Sequence, residues 1–461
     1  MKDIGHVTIW DVECIIIEDT DGFFIIPKQK ENIKKIRPHF GDRDFFLKFT
    51  GTIGFSSVMF IERMQFEINH AIRLFPRYII NRRHADKFTG FEMTGEAIDD
   101  FFSPSRYFYD QPKSENKCNT DFIYHSEIAD KWTIDFEDEI VTISLSFGDI
   151  LRWGVASDLK LHPKLTVEFR KTSDVEFVYR VYSSIVRFLQ IIRYDTKCGI
   201  IRIDLLNQEE GKTSYNGYLR DFSINQSLFF KGNHEVEYGC YKPYIQRFLQ
   251  FAADNPEYTF YHYPLEGVRY LGSHYSAVDY MNIFSAFESE CHAKKDLYEN
   301  IDASNVQAVK NALVDQLDQY PRESLKQEEI DFIDHAKERI LQLGTQFGQT
   351  QKIINAYQVL RGALDGSIEN IFYLPEFKLK GPLQINDLKK IAVFLTGNRG
   401  TVAHGGFSGV FSDKDAQKIH FLEILTYAQT LKRMGLEDID VERVIGAIFG
   451  CNIVLAQEKY L

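Results

Sequence analysis

The chain has 461 residues, of which 44% are hydrophobic and 26% are charged, and its formal net charge is −12. This composition is typical of a globular protein with about two or three domains, and the acidic balance argues against broad, non-specific binding to nucleic acid. The sequence shows neither a signal-peptide pattern nor an apolar run of about 18 residues, so we expect a cytoplasmic protein that does not contact a membrane.

The first 60 residues predict β-strands. Residues 7–60 are rich in β-branched and aromatic side chains, and residues 19–22 offer a turn between two strand-like runs. Residues 140–147 alternate between polar and apolar side chains, which predicts a half-buried strand with Val141 and Ile143 on its core side.

The rest of the first half mixes strand, loop and helix signals. Further strands are predicted at residues 132–136, 165–170 and 199–206, and a loop at residues 103–121. Residues 66–80 mix apolar and polar side chains and are of uncertain type, and residues 207–217 are polar and contain glycine. A short helix is predicted at residues 244–253.

Residues 175–194 change to a helical period. The apolar positions fall three or four residues apart, which predicts a long amphipathic helix. These positions are Val178, Val181, Tyr182, Ile185, Leu189 and Ile192.

After about residue 270 the strand signal ends and helical periodicity takes over. The expected fold class is therefore α+β: a β-rich region over residues 1–255 with one packed long helix, then an all-α bundle over residues 270–461. Helices are predicted at residues 277–297, 306–317, 324–343, 351–364, 413–434 and 441–456, with a further one that Asn386 caps and that leads to Arg399.

Several motifs can be set aside. Gly211-Lys212-Thr213 resembles the end of a phosphate-binding loop, but the glycine that this motif needs five residues earlier is replaced by Leu206. The histidines and cysteines lack the spacing of a zinc site, so we expect no metal and no cofactor. The six cysteines are widely separated, as in a protein with reduced, buried thiols.

A basic run over residues 77–87 leaves two interpretations open. It contains Arg77, Arg82, Arg83, His84 and Lys87. It is either a solvated basic surface or a contact for RNA phosphate or an acidic partner.

The stretch over residues 394–406 holds the candidate site. Leu388, Ile391 and Leu395 form a helical apolar stripe that leads to Arg399, and His404 follows five residues later. Because Gly397 and Gly400 are unfavourable inside a helix, residues 397–400 predict a break that would turn both side chains toward one cleft. The structural alternative is that Arg399 and His404 only cap and pack a helix end.

Arg399-x-x-x-x-His404 is similar to the R-x(4–6)-H signature of HEPN-domain proteins. Residues 283–288, Ile-Phe-Ser-Ala-Phe-Glu, look like the first-helix motif of the ApeA-like branch of that family. A β-rich region that precedes such a bundle also resembles the ApeA-type anti-phage proteins. The resemblance covers residues 270–461 well and the N-terminal region more loosely.

The resemblance implies a metal-independent ribonuclease. Histidine can exchange protons at neutral pH, and arginine can bind phosphate oxygens through a planar fork of donors. Attack by the RNA 2′-hydroxyl on the adjacent phosphate would leave a 2′,3′-cyclic phosphate. Two bundles commonly pair in this family, so the resemblance also implies a homodimer through the C-terminal bundle.

Two other residues enter through the resemblance. Family members often carry Asn, Asp or His directly after the arginine, where this chain has Gly400, and Asn398 could supply the missing polar group. Glu288 matches the first-helix acid, either as an internal partner that holds Arg399 or His404, or with a direct catalytic role.

The leading functional hypothesis is an RNA-cleaving toxin in antiviral defence by abortive infection. Its substrate would be tRNA or another structured RNA, and the N-terminal region would sense a phage-derived trigger. The alternative is a non-catalytic HEPN module that binds nucleotide, RNA or a protein partner.

Overall fold

The computed structural model separates into two compact units, Met1–Tyr258 and Thr259–Leu461. Each unit is described by itself below. The structure describes residues 2–9, 11–20, 22–36, 45–52, 55–67, 71–83, 87–103, 128–149, 161–195, 198–199, 201–209, 212–222, 238–257, 275–293, 303–342, 348–372, 381–406 and 409–449.

The N-terminal unit is built on one antiparallel sheet of 12 strands in the order β3-β2-β1-β4-β5-β6-β12-β11-β7-β10-β9-β8. The strands are β1 Lys2–Ile9, β2 Val12–Asp19, β3 Gly22–Pro27, β4 Phe45–Gly51, β5 Ser56–Phe66, β6 Ile72–Arg82, β7 Phe88–Gly95, β8 Ile128–Phe136, β9 Glu139–Asp149, β10 Leu161–Thr172, β11 Ile201–Glu209 and β12 Lys212–Asp221.

The first six strands close into a ring, because β3 also pairs with β6. The closing ladder joins Phe23 to Leu74 and Ile25 to Ile72. Side chains that alternate inward fill the ring with an apolar core, in which Ile16, Ile25 and Ile72 are fully buried. Closure leaves these strands without a free edge between β3 and β6.

The other six strands extend from β6 as an open sheet, and the long helix α3, Val175–Arg193, covers one face of it. Val141, Ile143 and Leu145 on β9 are fully buried, as their alternation predicts. Aromatic contacts tie α3 to the sheet: Tyr179 stacks on Tyr78 with ring centroids 3.9 Å apart. The shorter helices of this unit are α1 Ile33–Ile36, α2 Glu96–Phe101, α4 Tyr238–Tyr241 and α5 Ile245–Asp254.

The outermost strand, β8, is covered by side chains of α5 instead of another strand. The Gln250 amide donates to the Asp135 carbonyl at 2.9 Å and accepts from the Asp135 N–H at 2.9 Å. The Gln246 amide contacts Thr133 in the same way. Two glutamines thus satisfy backbone groups that would otherwise leave the edge open to pairing.

The C-terminal unit is mainly helical in its described residues. Its helices are α6 Ala277–Ala293, α7 Ala303–Asp318, α8 Gln327–Gln342, α9 Gln349–Leu364, α10 Ile368–Ile371, α11 Ile385–Ala403, α12 Asp413–Arg433 and α13 Asp438–Phe449. Helix α12 is the central element, because it packs against α6, α9, α11 and α13. Every residue of α12 from Phe421 to Leu431 is buried.

The predicted α+β class is confirmed, with a β-rich region followed by a helical region. The strand over residues 140–147 and the helix over residues 175–194 are also confirmed. The polar segment at residues 207–217 is instead mostly strand, shared between β11 and β12. Of the loop predicted at residues 103–121, residues 104–121 lie outside the described residues.

Candidate functional site

The stretch around Arg399 lies on one continuous helix. Helix α11 runs unbroken from Ile385 to Ala403, so the predicted break at Gly397–Gly400 is wrong. The buried stripe that includes Leu388, Leu395 and Val402 holds the helix in the bundle, and this packing outweighs a cost of about 1 kcal/mol for each internal glycine. The predicted cap is also wrong, since Gln384 and not Asn386 precedes the first helical residue.

The helix ends at His404, which is its C-terminal cap residue. The chain then turns at Gly405, whose φ of 73° is the left-handed conformation that glycine adopts most easily. The N–H groups of Gly405 and Gly406 donate to the carbonyls of Val402 and Thr401 at 3.0 and 2.8 Å. The glycine that terminates this helix is therefore Gly405.

An unbroken helix separates the two candidate residues around its axis. Five residues correspond to a rotation of about 140°, so Arg399 and His404 leave α11 in different directions. The expected cleft, with both side chains turned to one side by a break, is therefore not formed by a single copy of α11.

Arg399 reaches across to helix α6. Its Nη2 donates to Glu288 Oε2 at 2.9 Å, and its guanidinium carbon lies 5.4 Å from the centre of the Phe284 ring. The side chain is still 40% exposed. Among the described residues this is the only hydrogen bond of the guanidinium, so terminal N–H groups remain available to a ligand.

Glu288 lies between two polar partners. One carboxylate oxygen accepts from Arg399, and the other accepts from the Gln349 amide on α9 at 2.7 Å. Its side chain is 26% exposed. Of the two roles considered for Glu288, this geometry fits the internal partner, because both carboxylate oxygens accept hydrogen bonds from neighbouring side chains.

Asn398 turns back along its own helix. Its amide donates to the Phe394 carbonyl, one turn earlier, at 2.9 Å. The helix backbone therefore uses this amide nitrogen, and that group does not fill the position that Gly400 leaves without a polar side chain.

His404 is exposed at the end of the helix. Its backbone N–H donates to the Gly400 carbonyl at 3.1 Å. The chain beyond it returns to the start of α6, where Val410 forms a bridge with Ser276 and the Phe411 N–H donates to the Tyr275 carbonyl at 3.0 Å.

The face of α6 toward α11 is a stripe with residues four apart: Tyr280, Phe284 and Glu288. The Tyr280 hydroxyl donates to the Leu395 carbonyl, and burial raises the pKa of Tyr280 above its ordinary value. Sequence reasoning identified Glu288 but missed Gln349 and the role of Phe284. The spacing on α6 is a usable signal for Phe284, whereas Gln349 has no sequence signal because its partner is a tertiary neighbour.

The basic run over residues 77–87 does not form one surface. Arg77 donates to the Tyr179 hydroxyl at 3.0 Å, and Arg82 donates to Ser56 Oγ at 3.2 Å. Arg83 lines a separate cavity on the sheet, and His84 lies outside the described residues. Alternation along β6 and its end therefore disperses these cations.

Within the part of the chain that the structure describes, no three His, Cys, Asp or Glu side chains are grouped as they would be to hold a metal ion. In the same residues, no helix has both the length and the apolar character needed to cross a bilayer.

In comparisons with known proteins, no family model, curated protein or solved structure matches the chain. Any function for this site therefore rests on its residues and their geometry.

Proposed function

We propose that the C-terminal unit is a metal-independent endoribonuclease of the HEPN type. The observation that supports this most directly is the end of α11. There a half-exposed guanidinium, held by Glu288 and with spare donors, lies five residues before an exposed imidazole. These are the two chemical groups that RNA cleavage through the 2′-hydroxyl needs.

In this reaction the 2′-oxygen forms a bond to phosphorus and the bond to the 5′-oxygen breaks. A neutral His404 imidazole accepts the proton of the 2′-hydroxyl, and a protonated imidazole returns a proton to the leaving 5′-oxygen. Arg399 binds the phosphate oxygens, where negative charge builds up in the transition state. The products are a 2′,3′-cyclic phosphate and a 5′-hydroxyl.

The continuous helix makes a second copy of the chain part of the proposal. Within one copy, Arg399 and His404 diverge by about 140° around α11. A twofold dimer in which the ends of α11 meet would place the arginine of one copy beside the histidine of the other. The proposed site is therefore composite.

The proposed substrate is tRNA or another structured RNA, and the proposed role is antiviral defence by abortive infection in the cytoplasm. An enzyme that cuts cellular RNA must be held at a low basal activity until it is triggered. The N-terminal unit, a separate compact body, is the proposed place for a phage-derived trigger.

The first experiment incubates the full-length wild type and His404→Ala with total tRNA in the presence of EDTA. We expect cleavage by the wild type and a loss of about 10²- to 10⁴-fold in the variant, the usual contribution of a general acid or base. The ends should be a 2′,3′-cyclic phosphate and a 5′-hydroxyl, and DNA of the same sequence should remain intact. His335→Ala, an exposed histidine on α8, is the matched control.

Three results would contradict the assignment: cleavage that persists in His404→Ala, cleavage that stops in EDTA, or DNA cleavage at a similar rate. If wild type and variant are both inactive on RNA, the proposal fails in its catalytic form.

A mixing experiment tests the composite site. Arg399→Ala and His404→Ala are each inactive alone, but a heterodimer of the two retains one intact pair of Arg399 and His404 across the interface. Random mixing should restore about a quarter of wild-type activity. About half of the dimers are mixed, and in each mixed dimer one of the two sites is intact. A site formed within one copy would show no recovery.

A second function, a non-catalytic module that binds nucleotide, RNA or a protein partner, is favoured by one observation. Gly400 has no side chain, and the amide nitrogen of Asn398 is bonded to the Phe394 carbonyl of its own helix. Expression in bacteria discriminates the two functions. A nuclease should be toxic or protective against phage as wild type and not as Arg399→Ala, whereas equal behaviour of both favours the binding module.

A further inference from the structure

The N-terminal unit carries a cavity that the proposed nuclease does not use. It has a volume of about 820 Å³ and lies along β7, β10, β11 and β12 in the open half of the sheet. This volume is within the usual range of about 300 to 1,000 Å³ for small-molecule sites. Because Phe91 and Met93 are buried under α3, the intervening Glu92 points outward and lines the cavity.

Two large aromatic side chains are exposed on the cavity wall. Tyr215 is 57% exposed and Tyr218 is 41% exposed, both on β12. The Tyr215 hydroxyl donates to Glu92 Oε2 at 2.7 Å, which fixes the direction of its ring. Exposed aromatic rings on a sheet are the usual surfaces on which nucleobases stack.

The charged groups of the wall divide into paired and unpaired ones. Lys164 contacts Glu92 at 2.7 Å, Arg202 contacts Asp204 at 2.7 Å, and Arg220 contacts Glu18 at 2.5 Å. Arg83 differs, because among the described residues no carboxylate pairs with it. Its guanidinium instead lies 5.4 Å from the centre of the Phe55 ring.

The wall therefore combines stacking surfaces with one uncompensated guanidinium, while two of its carboxylates, Glu92 and Asp204, are neutralised by neighbours. The third, Asp221, interacts electrostatically with Arg77. An anion can approach Arg83 without meeting an unpaired carboxylate from Glu92 or Asp204. A long polyanion is disfavoured by the net charge of −12, so a short ligand fits this balance better than duplex nucleic acid.

We propose that this cavity binds a nucleotide unit, with the base stacked on Tyr218 and the phosphate on Arg83. The unit is either a free nucleotide or part of a single-stranded nucleic acid. The site is independent of the proposed nuclease, since it is formed entirely by the N-terminal unit.

The test measures binding of fluorescein-labelled (dT)10 and U10 to the full-length chain carrying His404→Ala, by fluorescence anisotropy at two salt concentrations. This background keeps U10 uncut whether or not the nuclease proposal holds. We expect Tyr218→Ala and Arg83→Gln each to weaken binding by about tenfold or more, as loss of one stacked base or one phosphate contact does. Arg83→Gln should also reduce the salt dependence.

Matched controls carry the same changes outside the cavity: Tyr320→Ala, an exposed tyrosine of the helical unit, and Arg170→Gln, an exposed arginine on β10. Both should bind as the parent does. Competition with ATP and UMP then distinguishes the sources: displacement at similar concentrations identifies a free nucleotide, and weak displacement identifies a single strand. If neither oligonucleotides nor nucleotides bind, or if the cavity variants bind as the controls do, the proposal is wrong.

Discussion

Two arginine–glutamate pairs lie on opposite sides of helix α6 and have nearly the same geometry. Arg399 contacts Glu288 at 2.9 Å, and Arg433 contacts Glu290 at 2.8 Å. Their surroundings differ. In the first pair the arginine is 40% exposed and the glutamate 26%, whereas in the second the values are 19% and 1%. Contact distance alone therefore does not show which pair holds the bundle together.

Burial separates the two roles. A buried charge depends on its partner because water cannot replace it, so the Glu290–Arg433 pair is part of the core that α12 organises. A half-exposed ion pair, which water screens, contributes about 0 to 1 kcal/mol to the free energy of unfolding. Arg399 is therefore oriented by Glu288 while it remains available to a ligand.

The largest effect on stability should come from Glu290→Gln. It removes the carboxylate charge that the Arg433 guanidinium contacts inside the bundle, and we expect the free energy of unfolding to fall by about 3 to 5 kcal/mol. Urea unfolding followed by circular dichroism measures this. Replacement of the pair by apolar residues, Glu290→Leu with Arg433→Met, should recover much of the loss. A drop below about 1 kcal/mol for Glu290→Gln would remove the distinction between the two pairs.

On the exposed side, Arg399→Ala should lower kcat/KM for tRNA cleavage by about 100-fold, the scale of one lost transition-state donor. The urea midpoint should stay near that of the wild type, since the pair adds little stability. Arg399→Lys keeps the charge but not the planar fork of donors, so its kcat/KM should lie between those of the wild type and Arg399→Ala. If Arg399→Ala unfolds the protein as readily as Glu290→Gln does, the role of Arg399 is structural.

A smaller effect is expected from Glu288→Gln. The amide keeps the shape of the side chain and loses the charge that orients Arg399, so kcat/KM should fall by about tenfold with a stability change below about 1 kcal/mol. Because Glu288 acts through Arg399, the same substitution in an Arg399→Ala background should have no further effect on cleavage. An additional loss in the double variant would indicate a direct catalytic role for Glu288.

Much of the fold follows from periodicity. Helix α3 and strand β9 each present one apolar face over many residues, and both are predictable for that reason. Strand β12 was not predicted, because its outward side carries polar and tyrosine side chains that line a cavity and few of its residues face the core. Closure of the first six strands depends on pairing of β3 with β6, which no local pattern encodes.

The candidate residues could be named from the sequence, but their arrangement could not, and whether they form one site stays a prediction. Arg399, His404 and Glu288 could be named from their spacing and from the resemblance. The contact of Glu288 with Gln349 joins residues far apart in sequence, so it depends on how α6 and α9 pack. The predicted break failed because local propensity at two glycines is weaker than burial of a continuous apolar stripe.

Two glycines at the end of α11, Gly400 and Gly405, provide the prediction with the smallest expected effect. A Cβ added at Gly400 meets no atom within 4 Å, and the backbone there is helical, so Gly400→Ala should stabilise the protein by about 0.5 to 1 kcal/mol. Gly405 has the same open surroundings but a φ of 73°, so Gly405→Ala should instead destabilise it by about 1 kcal/mol. Urea midpoints of the two variants measure the difference.

The activity of Gly400→Ala then tests whether α11 stays straight while RNA is cut. If the composite site uses the helix as it stands, the more rigid variant should cleave tRNA at close to the wild-type rate. A gain in stability together with a loss of cleavage would mean that α11 must bend at Gly400. Bending would bring Arg399 and His404 of one copy together, and the argument for a second copy at the site would no longer hold.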